Sequence, residues 1–256
     1  MIMKKNFLPI IALALSATAC VSDADLDVTD NKGFINVSVS ADNSMETRTS
    51  QSVTDFSNWT IKVGGTKWTS STQGIEAGTY TVTATNYATI EDALAANAPY
   101  GEAWYSGEKE SVQITAGKQT SVSIDCGKAK NARVRAEIAG NMPSISDVAI
   151  KVYKRGETSR QPVLSIENTT AYFEASTESS SVEISYEISY KYNNQDKKLS
   201  TQTLTLGAEG HENIISIKSN QNGSINITVS YDGEFTPNGT STITIDAATG
   251  EQITNS

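Results

Sequence analysis

Histidine and cysteine are almost missing from this chain of 256 residues, which holds one of the first and two of the second. A zinc triad or a Ser-His-Asp site of the usual kind is therefore excluded unless His211, in the polar stretch Gly210-His211-Glu212-Asn213, is its sole imidazole. There is no G-x-S-x-G elbow and no glycine loop to cradle phosphate. The carboxylates are scattered rather than set in a motif that would flank a glycosidic bond, and a solvated face accounts for them. No Lys/Arg cluster occurs and the formal net charge is -9, so nucleic acid, whose affinity comes from cationic counterion release, is not an expected partner. No apolar run approaches the roughly 20 residues that span a bilayer as a helix. The absences point to a non-enzyme with no cofactor and no metal.

What is present begins with an address. Lys4 and Lys5 precede the apolar stretch Phe7 to Ala14, which closes on Ser16, Ala17, Thr18 and Ala19, the layout of a secretory signal over residues 1–19. Ala17-Thr18-Ala19-Cys20 resembles the lipobox of bacterial lipoproteins, with Ala17 where that pattern favours Leu. The resemblance implies acylation of Cys20 and an outer-membrane lipid anchor, at about 0.8 kcal/mol per buried CH₂. Ala17-x-Ala19 also suits the ordinary signal peptidase, which would leave a periplasmic or secreted product. With Cys20 acylated, Cys126 is the one remaining thiol, so no intramolecular disulfide is available. Cys126 shares a face with Val122 and Ile124, and a small packed hydrophobe is its expected role; a catalytic Cys/His pair is not expected.

Ser22, Asp23, Asp25 and Asp27 follow at once. A calcium loop starting at Asp23 would need Gly at its sixth position and Glu at its twelfth, and these are Val28 and Phe34. Residues 20–32 therefore read as an acidic, self-repelling tether. The same four residues resemble the surface-export signal of Bacteroidetes-type lipoproteins, which implies the outer face of the outer membrane.

Beyond the tether, serine and threonine abound, and short alternating runs are separated by Gly, Asn and Asp, the pattern of antiparallel strands. Ile35, Val37 and Val39 share a side; Trp59, Ile61 and Val63 share another before Gly64-Gly65, which reads as a hairpin returning through Trp68. Strands are expected over Gly78 to Ala84, Glu102 to Ile114 and Lys118 to Cys126, the last two flanking Ala116-Gly117. Thr89 to Asn97 is the one helical candidate, with Thr89 as cap, Glu91 and Asp92 in the first turn, and Pro99 as stop. The polar stretch 127–131 reads as a linker. Alternation resumes at Ala132, is clearest from Val182 to Tyr192, turns at Asn193-Asn194-Gln195-Asp196, and includes the strong hairpin signal Asn222-Gly223 before a last strand at Ile243 and Ile245. The expected fold is all-β: two antiparallel β-sandwich domains in series, 33–126 and 132–250, with a tail at 251–256.

Gly78-Thr79-Tyr80-Thr81-Val82-Thr83-Ala84, Tyr105-Ser106-Gly107, Thr115-Ala116-Gly117-Lys118, and Cys126 leading into Ala132-Arg133-Val134 occur in that order. So arranged, they resemble a domain-of-unknown-function family of outer-membrane lipoproteins from gut Bacteroidetes, itself similar to fimbrillins and their anchors. The resemblance implies paired β-sandwiches and lipidated export. It supplies no catalytic residue.

The expected role is a lipid-anchored, cell-surface, non-enzymatic protein that binds a glycan or another surface protein. A fimbria-like structural or anchor subunit is the alternative, with a secreted hydrolase behind it. The candidate ligand contacts are Tyr100, Trp104 and Tyr105, because Pro99-Tyr100-Gly101 is turn chemistry that can lift rings out of a sheet. Tyr186, Tyr190 and Tyr192 share an apolar face and read as core. Arg48, in the polar loop Thr47-Arg48-Thr49, is a candidate processing site by its resemblance to fimbrillin-type loops, beside the simpler reading of one exposed arginine.

Overall fold

In the computed structural model, described over residues 31–42, 50–52, 59–140, 142, 144–219, 225–232, 242–245 and 252–253, period-two alternation becomes strand in two successive units. Cys20, Ser22, Asp23, Asp25, Asp27 and Arg48 lie outside the described residues.

The first unit opens with β1 (Lys32–Asp42), β2 (Ser50–Ser52), β3 (Thr60–Val63) and β4 (Thr66–Lys67). It continues with β5 (Ile75–Glu76), β6 (Gly78–Thr85), α1 (Ile90–Ala95), β7 (Ser106–Ile114) and β8 (Gln119–Asp125). One sheet has the order β2-β1-β5, with β8 also paired to β1; the other runs β4-β3-β6-β7. Gly64 and Gly65 take φ of 54° and 84° and join β3 to β4 at the Val63↔Thr66 pair, so both central turn positions need the left-handed backbone that glycine tolerates. Thr89 caps α1 by accepting the Asp92 backbone N–H at 3.2 Å.

The second unit begins with β9 (Ala132–Ile138), β10 (Ile145–Lys154), β11 (Val163–Leu164) and β12 (Thr170–Phe173). Then come β13 (Glu183–Tyr192), β14 (Gln195–Lys198), β15 (Gln202–Thr205) and β16 (Glu212–Ser219), followed by β17 (Ile225–Asp232), β18 (Thr242–Ile245) and β19 (Gln252–Ile253). One sheet has the order β11-β10-β13-β14 with β15 also on β13; the other runs β12-β9-β16-β17-β18-β19. Asn193 and Asn194 (φ 47° and 63°) form the tight turn from β13 to β14, so Gln195 and Asp196 are already strand rather than turn. The Asn222-Gly223 turn is outside the described residues, while the strands it joins pair antiparallel from Glu212↔Asp232 to Ser219↔Ile225.

Each pair of sheets closes on its own apolar cluster. Ile35, Val82, Ile114 and Ile124 belong to one; Val134, Ile150, Ile184, Tyr186 and Ile215 belong to the other. The change of cluster falls between Ala129 and Ala132, and Tyr100, from the first half of the chain, packs against the second cluster.

Three features depart from the sequence expectation. The first strand of each unit pairs in parallel with a later one, β1 with β8 and β9 with β16, in an otherwise antiparallel fold. Ala116-Gly117, expected only as a turn between two strands, joins strands that are not paired to each other: β7 bonds to β6 and β8 to β1, so this turn carries the chain from one sheet to the other. The strand expected from Glu102 begins at Ser106, because residues 101–105 spend their backbone and side-chain bonds elsewhere.

Candidate functional site at the seam of the two units

Residues 86–105, between β6 and β7, form a connector that leaves the first unit, lies on the second and returns. Asn86 ties its ends together: its Oδ1 accepts the Tyr105 N–H at 2.7 Å and its Nδ2 donates to the Ala103 carbonyl at 2.7 Å. The buried Asn131 does the same from the linker, accepting the Trp104 N–H at 3.1 Å and donating to the Glu102 carbonyl at 2.8 Å. Tyr87 donates its hydroxyl to the Glu102 carboxylate, and burial, then that bond and charge, push the phenol up to about 12.

Where the connector meets the second unit, the Tyr100 carbonyl accepts from the Tyr172 N–H at 2.8 Å and from Arg160 Nη2 at 2.9 Å. Arg160 also donates to the Tyr172 carbonyl, and its guanidinium lies 4.8 Å from the Phe173 ring centroid. Burial, offset in part by Glu157 and Glu174, holds its pKa below the ordinary arginine value. Gly101 sits at this crossing with φ 74°, and a Cβ there would come within 2.8 Å of Arg160 Nη2, so both backbone and space call for glycine.

Under the connector lies a cluster of charges on the outer face of β9 and β16. Glu212 Oε1 accepts from Arg133 Nη2 at 2.5 Å and from Arg135 Nε at 2.8 Å, while Arg135 Nη2 reaches Oε2 at 3.2 Å. The hydrogen bond to Glu212 holds the Arg135 guanidinium above its ordinary pKa. Arg133 is 3% exposed and Glu212 5%, and the Arg133 Nε–H has no acceptor. Arg133 lies on the outer face of its sheet, since Ala132, Val134 and Ala136 fill the core side. Nothing in the alternation shows that a connector from the other unit would roof that face, which is why Arg133 and Glu212 escaped sequence reasoning.

Three clefts line this seam. One of about 460 Å³ runs between α1 and the second unit, with Leu94, Phe173 and Val182 as its apolar part and Lys154, Glu157 and Arg160 around it. One of about 400 Å³ is lined by Asn97, Glu102, Tyr105, Arg133, Thr170 and Tyr172. The third, about 630 Å³, lies among Ser106, Glu108, Asp125, Cys126, Lys128 and Glu209. Among the described residues no group of three or more His, Cys, Asp or Glu side chains is placed to hold a metal.

The three rings proposed as an aromatic contact surface do share the connector, but they do not form an exposed platform. Tyr105 is 7% exposed inside the first core and stacks on Trp59 at 6.5 Å between centroids, so the expectation that it presents its face to a ligand is corrected. Its ring gains more from apolar packing than exposure would leave it. Trp104 is half-buried and donates its indole N–H to Thr85 Oγ1 at 3.2 Å and the Tyr87 carbonyl at 3.1 Å. Tyr100 donates its hydroxyl to the Val163 carbonyl at 3.1 Å. The Trp104 indole N–H and the Tyr100 hydroxyl are thus spent on acceptors within the protein. Cys126 is buried in the first core, and burial, then Asp125, push its thiol up to about 11. Tyr186 and Tyr190 are core and Tyr192 packs partly against it.

Residues 13–247 match the family model described as a domain of unknown function, DUF4493. The chain belongs to the DUF4493 family. Curated proteins yield no match. Two solved structures give low-level likenesses. A protein of Bacteroides ovatus ATCC 8483, described as a candidate adhesin, is 12% identical over 66% of the DUF4493 chain and 81% of its own, with a TM-score of 0.28. A leucine-rich repeat protein of Bacteroides thetaiotaomicron VPI-5482 is 11% identical over 73% of the DUF4493 chain and 26% of its own, with a TM-score of 0.21. At such scores neither transfers a fold or a role to the DUF4493 chain, and the family description assigns no activity to any residue.

Proposed function

We propose that this protein is a lipid-anchored, surface-exposed binding protein, attached through Cys20 and carried outward by the acidic stretch Ser22 to Asp27, and that it recognises its partner at the seam between its two units. The observation that carries the reading is the seam itself. Three clefts of about 400 to 630 Å³ lie along it, within the size range of ligand sites, and domain junctions are where such sites concentrate. Asn86, Asn131 and Arg160 brace the cleft walls through backbone bonds, so a ligand meets groups already held in place. No helix among the described residues is long and apolar enough to cross a membrane, and the anchor is assigned to an acylated Cys20.

Mass spectrometry of the N-terminal peptide is expected to show diacylglycerol on Cys20; an unmodified Cys20 at the mature start removes the anchor. Purified protein is expected to adhere to polysaccharide-coated or cell-coated surfaces without releasing reducing ends. Released reducing ends would make it a hydrolase, and concentration-dependent polymers in solution would make it a fimbria-like subunit.

A further inference from the structure

The tether enters the first unit at one end and the seam lies at the other. At the entry end the Asn31 carbonyl accepts the Ala77 N–H and the Lys32 carbonyl the Gly117 N–H, each at 2.8 Å. At the far end the Cys126 N–H reaches the Ser40 carbonyl at 2.8 Å, and a Cβ at Gly107 would come within 2.9 Å of the Cys126 Cα. The Lys130 N–H then donates to the Trp104 carbonyl at 2.6 Å, which ties the linker and the connector to that same end. β1 spans the distance between, about 26 Å from Lys32 to Ser40 at roughly 3.3 Å per residue.

We infer that the first unit is a load-bearing clamp, carrying tension between the tether and a partner gripped at the seam, a function that rests on the anchored binding role proposed above. β1 and β8 are parallel and stay in register through seven successive pairs, Phe34↔Gln119 to Ser40↔Asp125. Tension draws β1 back towards its start and β8 forward towards its end. The two strands must therefore slide past each other, and the evenly spaced bonds of a parallel pair take the load together rather than one after another. An antiparallel hairpin pulled at its two open ends peels from the first bond onward.

A second observation is how little else bonds to β1. Among the described residues its other edge is paired only near its ends, with β5 at Lys32 and Gly33 and with β2 at Ser40 to Asp42. Ile35, Val37 and Val39 are buried in one cluster with Val122 and Ile124, so sliding also drags apolar side chains from their sites. The second unit differs. Its parallel pair joins β9 to β16, but β9 is bonded to β12 as well and begins at the seam, so tension between tether and seam does not cross it.

Single-molecule pulling on the mature chain carrying Cys20→Ser tests the clamp by changing the direction of force alone. Handles at Asn31→Cys and Lys128→Cys load the ladder lengthwise, whereas handles at Asn31→Cys and Lys118→Cys load it crosswise from one end. All three positions are exposed and Cys126 is buried. Lengthwise rupture is expected to need at least about twice the crosswise force, because the same fold yields by sliding in one case and by peeling in the other. The Phe34 N–H donates to the Lys118 carbonyl at 2.9 Å and the Ser40 carbonyl accepts from Cys126, so the even-numbered residues of β1 turn their backbone groups to β8. Ser38→Pro removes one such N–H and is expected to lower the lengthwise force while changing the crosswise one little. If Ser38→Pro does not fold, the two directions on the native sequence decide alone. Equal forces in both directions, a lower lengthwise force, or a folded Ser38→Pro with unchanged lengthwise force overturns the clamp. Neither pull involves a ligand or a lipid. A chain that adheres to coated surfaces yet yields equally in both directions loses the clamp and keeps the binding role; one that resists lengthwise pulling and adheres to nothing keeps the clamp and loses the binding role.

Discussion

The two units solve the same packing problem with different cores. Among the described residues, the buried side chains of the first unit are apolar throughout, whereas every buried polar or charged one, Asn131, Arg133, Ser176, Ser185, Glu212, Asn213 and Ser216, lies in the linker or the second unit. An apolar core tolerates substitution in proportion to the volume removed. A buried ion pair behaves otherwise: its net contribution is small, yet removing one partner strands the other charge. The core of the first unit is thus apolar packing, and the second adds buried polar and charged groups where the connector sits on it.

The largest contrast is expected from Glu212→Ala, which leaves Arg133 buried without its carboxylate and should cost the second unit about 3–5 kcal/mol in denaturant unfolding. The double change Arg133→Met with Glu212→Leu should recover most of that loss. A cost under about 1 kcal/mol for the single change would show that the pair is not shielded from water.

In the first unit, Ile124→Ala should cost about 2–4 kcal/mol, the ordinary penalty for emptying a packed site. Cys126 reports this unit selectively. In a chain carrying Cys20→Ser, its thiol, pushed up to about 11, should resist labelling at pH 8 until the first unit opens. Ile124→Ala should speed that labelling while leaving the transition of the second unit in place; equal loss in both units would mean they share one core.

At the crossing between units, Gly101→Ala forces a side chain into left-handed backbone and against Arg160, and should cost about 1–3 kcal/mol. Calorimetry is expected to resolve two transitions in this variant where the native seam couples them. Two equally separated transitions in the native chain would show that the seam carries no coupling.

The smallest effect concerns acid. Hydrogen bonds from Lys198, then Tyr153 and Lys151, hold the Glu187 carboxyl at about 2, below its ordinary value of 4.5. A depressed carboxyl stabilises the fold above its unfolded pKa, and that contribution disappears as pH falls from about 4.5 towards 2. Glu187→Gln should therefore be less stable than the native chain at pH 7, with the gap closing across that window. A gap independent of pH would place the effect in packing instead.

Much of this architecture was readable from local pattern. From Val182 to Tyr192 alternation holds without interruption, and Ile184, Tyr186, Ile188 and Tyr190 are all buried. Gly64-Gly65 and the Thr89 cap are set by neighbours a few residues away, so short windows suffice. β10 was not legible because Asp147, at φ 52°, accompanies a register shift between Ser146 and Ala149 that breaks the period. The parallel pairs β1 with β8 and β9 with β16 were not legible either, since alternation specifies which face is wet and not which strand lies alongside.

By itself, then, the sequence determined strand periodicity, the tight turns and the short capped helix, because each depends on contacts within one strand or one turn. Tertiary structure decided that a connector of the first unit roofs Arg133 on the second, that Tyr105 is packed rather than displayed, and that opposite charges from two units face one cleft. Those outcomes depend on residues some 30 to 110 positions apart, such as Glu102 with Arg133 and Glu212. Burial of a charge depends on what covers it, and the cover here is supplied by a segment far away in the chain.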